Sequence, residues 1–140
     1  MIFSILTSSN SARDKFILIV AYALAAMFAI VIHEYSHARV AVKCGDLTPK
    51  LAGRLTLNPM AHFDVFGLVL FFLIGFGWAK PVPINPDNFG HKKRDTIFTS
   101  LAGIFANLLT AAVFLGVLCL INLIPMDVVY ASVFGEVLFN

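Results

Sequence analysis

Two long stretches of this chain carry almost no polar side chains. Phe16 to Ile32 contains no charged residue, and Thr96 to Ile124 has Asn107 as its main internal polar residue. The first run predicts a helix over 14–43, closed by Cys44-Gly45, since glycine is the usual helix stop. The second predicts a helix over 96–124, ended by Pro125. At about 1.5 Å per residue the first helix is on the order of 40 Å long, enough to cross a hydrocarbon core of about 30 Å. Residues 46–95 between them are more polar. Within Leu51 to Asn58, Leu55 and Leu57 alternate with Arg54, Thr56 and Asn58, a short strand pattern broken by Pro59. Val65 to Trp78 is apolar, contains Gly67, Gly75 and Gly77, and is too short for a comfortable crossing, so it is expected to re-enter or to lie at the interface. Pro81, Pro83 and Pro86 forbid regular helix in the segment that follows, and His91 to Arg94 forms a basic turn. Residues 128–140 read as the start of a further helix. The expected fold class is an all-α membrane protein: transmembrane helices with a short membrane-associated strand or re-entrant segment between them, in a single membrane-embedded core over 1–140.

Composition points the same way. Of the 140 residues 59% are hydrophobic and 13% charged, with a mean hydropathy of +0.88, where soluble domains carry about 25% charged residues. This excludes an ordinary cytosolic domain. A formal charge of +2 without a long basic run gives no sign of nucleic-acid binding. Cys44 and Cys119 are the only cysteines and lie far apart in sequence, which suggests neither a disulfide framework nor a thiolate metal site. Arg13 and Lys15 could flank a signal peptide with Ala21-Tyr22-Ala23 as a loose cleavage site. The apolar run continues past that point to Ile32, however, so the segment is kept in the mature protein. Lys43, Lys50, Arg54, Lys80, Lys92, Lys93 and Arg94 all lie between the two long helices. By the positive-inside bias the central region is cytoplasmic and both ends lie outside, in a multi-pass protein of a cytoplasmic membrane.

The chemistry sits at the end of the first helix. His33-Glu34-Tyr35-Ser36-His37 is an HExxH array. Its histidines are four apart and share one helical face a turn from each other, the reach needed to hold one zinc ion. Glu34 can take a proton from the metal-bound water and return it to a leaving amine. The bland reading is a polar packing cluster or a lost active site. Against it, an ionisable group at the centre of a spanning helix costs roughly 2.5 to 3.5 kcal/mol even on insertion scales, so three within five residues are not expected to be idle. With His33 and His37 about 9 to 15 Å along the helix from Lys43, the metal lies below the membrane surface and opens toward the cytoplasm.

His33 to Ala38, the stretch Gly53-Arg54-Leu55-Thr56-Leu57-Asn58-Pro59, the stretch Gly77 to Pro86, and Ala102-Gly103 with Asn107 occur in an order that resembles the site-2 protease family of intramembrane zinc metalloproteases, most closely its small prokaryotic branch without PDZ or CBS domains. The resemblance runs from about residue 14 to 110. It implies hydrolysis of membrane-spanning protein or peptide substrates within the lipid bilayer in regulated intramembrane proteolysis, with His33 and His37 as zinc ligands and Glu34 as general base and acid. It also implies that Asn107 lies near the substrate or the developing oxyanion. The plainer role for Asn107 is an interhelical hydrogen bond. For Leu55 to Asn58 the family suggests a strand that pairs with unwound substrate, and an ordinary loop is the alternative. His62 and Asp64 also resemble the family's sequence, and capping or turn formation accounts for them. Trp78 reads as an interfacial anchor.

Two departures stand out. Ile104 replaces the proline usual after Ala-Gly. The third metal ligand, an aspartate in an Asn-x-x-Pro-x-x-Pro-x-Asp-Gly type motif, has no counterpart. Asn122 to Asp127 begins the same way, but Asp127 arrives too early, lacks the following glycine, and by the charge argument lies across the membrane from His33. The expectation is that the ligand lies beyond residue 140 and that these residues form an incomplete metalloprotease core. A different class stays open: a non-catalytic membrane metal-binding protein, or an inactive relative acting as a membrane interaction module.

Overall fold

The computed structural model describes residues 5, 7, 9–74 and 76–123. Helix α1 spans Ala12–Lys43, starting two residues before the expected position. Ser11 caps it, its hydroxyl accepting from the Asp14 amide at 3.2 Å, in the spacing of a capping box. Cys44 closes α1, and Gly45 follows at φ +108°, where a Cβ would come within 2.9 Å of the Asn88 carbonyl oxygen. Only glycine makes that turn without strain.

A single turn, α2 (Thr48–Leu51), and a 3-10 turn at Pro59–Ala61 lead to α3 (Val65–Ile74), whose first turn is capped by Asp64 accepting from the Gly67 amide at 3.0 Å. The capping role expected of Asp64 is therefore the observed one. At ten residues α3 is about 15 Å long, half of a hydrocarbon core. Helix α4 spans Lys92–Asn122 and starts four residues earlier than expected. The Asp95 carboxylate reaches back to the His91 amide at 2.8 Å and satisfies a donor that the helix itself leaves unpaired.

The strand expected over Leu55 to Asn58 does not form, and among the described residues there is no strand, only an isolated antiparallel bridge between Phe63 and Ala79. The backbone groups there are taken up locally. Thr56 Oγ1 accepts from the Asn58 amide at 3.1 Å, Asn58 Oδ1 accepts from the Met60 amide at 3.1 Å, and the Thr56 carbonyl accepts from His62 Nε2 at 2.8 Å. Such side-chain bonds offer the backbone an alternative to a ladder. The further helix expected at 128–140, and Asp127 with it, lie outside the described residues.

The chain divides into two units, Met1–Asn107 and Leu108–Asn140. In the first, buried apolar groups are few, with Val31, Ala38, Ala41, Val82 and Phe89 foremost, while Asp46, His62, Asp95 and Thr99 are buried polar residues. In the second, the described residues continue α4 with its apolar side chains outward, Leu109 being 69% exposed. Helices α1 and α4 are long and apolar enough to cross a membrane. Only 6% of the most apolar window of α1 and none of that of α4 is buried, so neither behaves as the core helix of a soluble protein. Both fit a membrane protein.

Asp46 ties the central segments together. Its carboxylate accepts from the Thr48 amide (3.0 Å) and hydroxyl (2.5 Å), the Asn85 amide (2.7 Å) and Asn88 Nδ2 (2.8 Å). Burial works against its ionisation, but these hydrogen bonds, from Thr48, Asn88 and Asn85, outweigh it and hold the carboxyl below its ordinary range. A carboxyl with a lowered folded-state pKa gives its full stabilisation above the unfolded value of about 3.9 and loses it as the pH falls below that. Asp46→Ala removes the shared acceptor of the half-buried Thr48 and the exposed Asn85 and Asn88, at about 1 kcal/mol for each hydrogen bond lost. We expect thermal unfolding in detergent to fall by several degrees at neutral pH, with the gap to wild type closing in acid. An unchanged unfolding temperature would refute the assignment.

Candidate metal centre

His33 and His37 occupy successive turns of α1, as their spacing dictates, and their rings meet edge to face with centroids 4.6 Å apart. Their Nε2 atoms lie 3.0 Å from each other. Two imidazoles binding one tetrahedral ion at about 2.0–2.1 Å place their nitrogens about 3.3 Å apart, so the observed pairing needs only a small adjustment.

Helix α4 completes the surroundings through residues spaced by four. The Thr99 carbonyl lies 2.6 Å from His37 Nδ1, and Asn107 Nδ2 lies 3.4 Å from His33 Nδ1. Gly103, midway between, comes so close that a Cβ there would stand 2.6 Å from the Nε2 atoms of both histidines and from His33 Cε1. Thr99, Gly103 and Asn107 fall at i, i+4 and i+8 on one helical face. That spacing was available in the sequence. Nothing local in the sequence says what Thr99 or Gly103 faces.

Glu34 projects from the same part of α1 toward the extended proline-rich segment. Pro81 and Pro83 have no N–H, so Val82 provides the only backbone donor of those three positions, and it donates to Glu34 Oε2 at 3.3 Å. The same segment is held on either side by the Lys80 amide donating to the His62 carbonyl at 2.8 Å and by the Asn85 amide donating to Asp46. Arg54 Nη1 donates to the Ala61 carbonyl and, at 3.5 Å, to the Lys80 carbonyl. His62, for which a turn-forming role was expected, is buried and fastens the loop through its bond to Thr56.

An apolar cavity of about 290 Å³ lies in the same unit, lined among others by Ala23, Met27, Ile30, Phe63, Phe71 and Trp78. Met27 and Ile30 precede Glu34 by seven and four residues, so this cavity opens on the helical face that carries Glu34. Tyr22 stacks on Phe71 at one side of it, with ring centroids 5.4 Å apart. Gly67 and Gly77 allow the backbones of α3 and the proline-rich segment to touch: a Cβ at either would lie within 2.2 Å of the other strand of chain.

The structure thus brings His33, His37 and Asn107 together and ties Glu34 to the segment beside them. Among the described residues no third His, Cys, Asp or Glu joins them as a metal ligand, and Asp127 lies outside those residues. Cys44 and Cys119 are both free thiols. Chemically the arrangement is a pair of imidazoles with their Nε2 atoms 3.0 Å apart and a carboxylate carried by the same helix.

The chain is 41% identical over 103 residues to "Putative zinc metalloprotease YwhC" of Bacillus subtilis (strain 168). The matched stretch makes up 74% of this chain and 47% of that protein, so the chain spans about half of the length of this relative. No protein-family model and no solved structure matches the chain.

Proposed function

We propose that this protein is an intramembrane zinc metalloprotease of the site-2 protease type, cleaving membrane-spanning protein or peptide substrates. The observation that carries the reading is the pair of imidazole Nε2 atoms, 3.0 Å apart, beneath a glycine whose missing side chain leaves them uncovered. The ordered motifs of the sequence, the two long apolar helices and the similarity to a protein named as a zinc metalloprotease support it.

His33 and His37 would hold the zinc. A third protein ligand, normal for catalytic zinc, is expected from outside the described residues. Bound there, zinc supplies Lewis acidity and lowers the pKa of a water toward about 7. Glu34 takes a proton from the attacking water and delivers it to the leaving amine. The Val82 amide keeps the Glu34 carboxylate turned toward the segment 80–83, beside which an unwound substrate would lie. A helical peptide bond is shielded by its own turn and has to be extended before attack, and loop backbone offers it replacement hydrogen bonds. The apolar cavity beside Ile30 and Phe63 suits a bulky hydrophobic side chain of that substrate. Helix α3 would lie in the membrane without crossing it, and the site would open to the cytoplasm, where the basic residues of the central region gather.

Purified in detergent, the protein is expected to carry zinc, to cleave a model membrane-spanning peptide, to stop when a chelator strips the metal, and to recover when zinc is returned. A preparation free of metal whose cleavage is indifferent to chelators would overturn the reading.

A further inference from the structure

The hydrogen bonds around the two histidines have a direction. The Thr99 carbonyl can only accept, so a neutral His37 carries its proton on Nδ1 and presents a lone pair at Nε2. His33 Nε2, 3.0 Å away, then supplies the hydrogen of that contact, which leaves His33 Nδ1 as an acceptor facing the Nδ2 amino group of Asn107 at 3.4 Å. Donation runs from Asn107 through His33 and His37 to Thr99. Two side-chain oxygens of these four residues are buried without a partner, Thr99 Oγ1 and Asn107 Oδ1, and only the second belongs to a group whose other end faces a ring nitrogen.

A histidine that ligates through Nε2 needs its proton on Nδ1, and needs a neighbour that accepts it. His37 already meets this condition through Thr99. His33 meets it only if Asn107 presents oxygen in place of nitrogen.

We propose that Asn107 is a positioning residue for His33: its amide turns over so that Oδ1 accepts from His33 Nδ1–H, the tautomer that frees Nε2 for a divalent cation. The turn exchanges the N–H···N contact at 3.4 Å for an N–H···O one and gives the orphaned oxygen its partner, while Nδ2 moves to the place that Oδ1 leaves, so the freed lone pair of His33 Nε2 is what the turn gains. It also makes the two ligands equivalent, each held from α4 by an oxygen acceptor, at residues eight apart on one face. The proposal rests on the metal-site reading above but not on proteolysis. It differs from a contact to substrate, which would leave the metal untouched, and from a simple interhelical hydrogen bond, which would not depend on which atom of the amide faces the ring.

The test is the zinc affinity of the full chain in detergent, measured by competition with a chromogenic chelator in the absence of substrate. Asn107→Asp keeps an oxygen acceptor and removes the donor, so it is expected to bind zinc as tightly as wild type or more tightly. Asn107→Leu keeps the volume and removes both, and is expected to weaken binding by about 10- to 100-fold, the usual effect of deleting a partner behind a ligand. Nitrogen NMR of the zinc-loaded wild type should show His33 protonated at Nδ1, a readout that serves even if the leucine variant fails to fold. Loss of affinity in Asn107→Asp, unchanged affinity in a folded Asn107→Leu, or a zinc-loaded His33 protonated at Nε2 would each overturn the proposal while leaving the protease reading in place. A wild-type protein that takes up no zinc would overturn both.

Discussion

Gly103→Ala is expected to strip the protein of its metal while leaving its helices intact. The new methyl carbon would stand 2.6 Å from the Nε2 atoms of both His33 and His37, well inside van der Waals contact. The rings are side-chain ends and can swing aside, but doing so breaks the bond of His37 Nδ1 to the Thr99 carbonyl and the contact of His33 with Asn107. Displacing catalytic groups by about 1 Å commonly costs on the order of a hundredfold. We therefore expect zinc affinity to fall by about 100-fold or more, and cleavage with it. The sign of the stability change separates this from general damage. In a helix interior, replacing glycine with alanine by itself stabilises by about 0.5–1 kcal/mol, so a variant that unfolds no more easily than wild type yet binds no zinc would locate the fault at the imidazoles. Zinc binding equal to wild type would show that α4 does not approach the histidines as closely as described.

Glu34→Gln is expected to separate metal binding from catalysis. Glutamine is almost isosteric, and its Oε1 can still accept from the Val82 amide that Glu34 engages at 3.3 Å, so the proline-rich segment keeps its place. Glutamine has no basicity to offer an attacking water. General acid–base catalysis contributes about 10²- to 10⁴-fold, and the turnover rate on a model membrane-spanning peptide should fall by that order while the zinc content stays at the wild-type level. Undiminished cleavage would end the role given to Glu34. Loss of zinc along with cleavage would instead make the carboxylate a ligand or a structural support.

The two variants probe features of different legibility. The acid–base role proposed for Glu34 rests on the spacing of His33, Glu34 and His37 alone, since the helix that aligns them is written in the uninterrupted apolar run before them. Gly103 cannot be read that way. A glycine in an apolar helix has several uses, and only the neighbour it faces says which applies. Asn107 is intermediate. Its polarity in a lipid-compatible helix marked it as a partner of something, while the identity of that partner, His33, came from the packing of α4 against α1 within the first unit. The alternation at Leu55 to Asn58 misled for a related reason. Period-2 patterning predicts a strand only where a neighbouring chain offers a ladder, and here Thr56, Asn58 and His62 satisfy the backbone instead.

Apolar run length and the four-residue step between the histidines are properties of contiguous sequence, and they determined α1, the span of α4 to within a few residues, and the convergence of two imidazoles. Hydrogen bonds between distant residues lie beyond any local pattern. His37 meets Thr99 across 62 positions, Glu34 meets Val82 across 48 and His33 meets Asn107 across 74. What faces each ring nitrogen, where the carboxylate points, and why position 103 has no side chain were therefore decided only when those segments packed together.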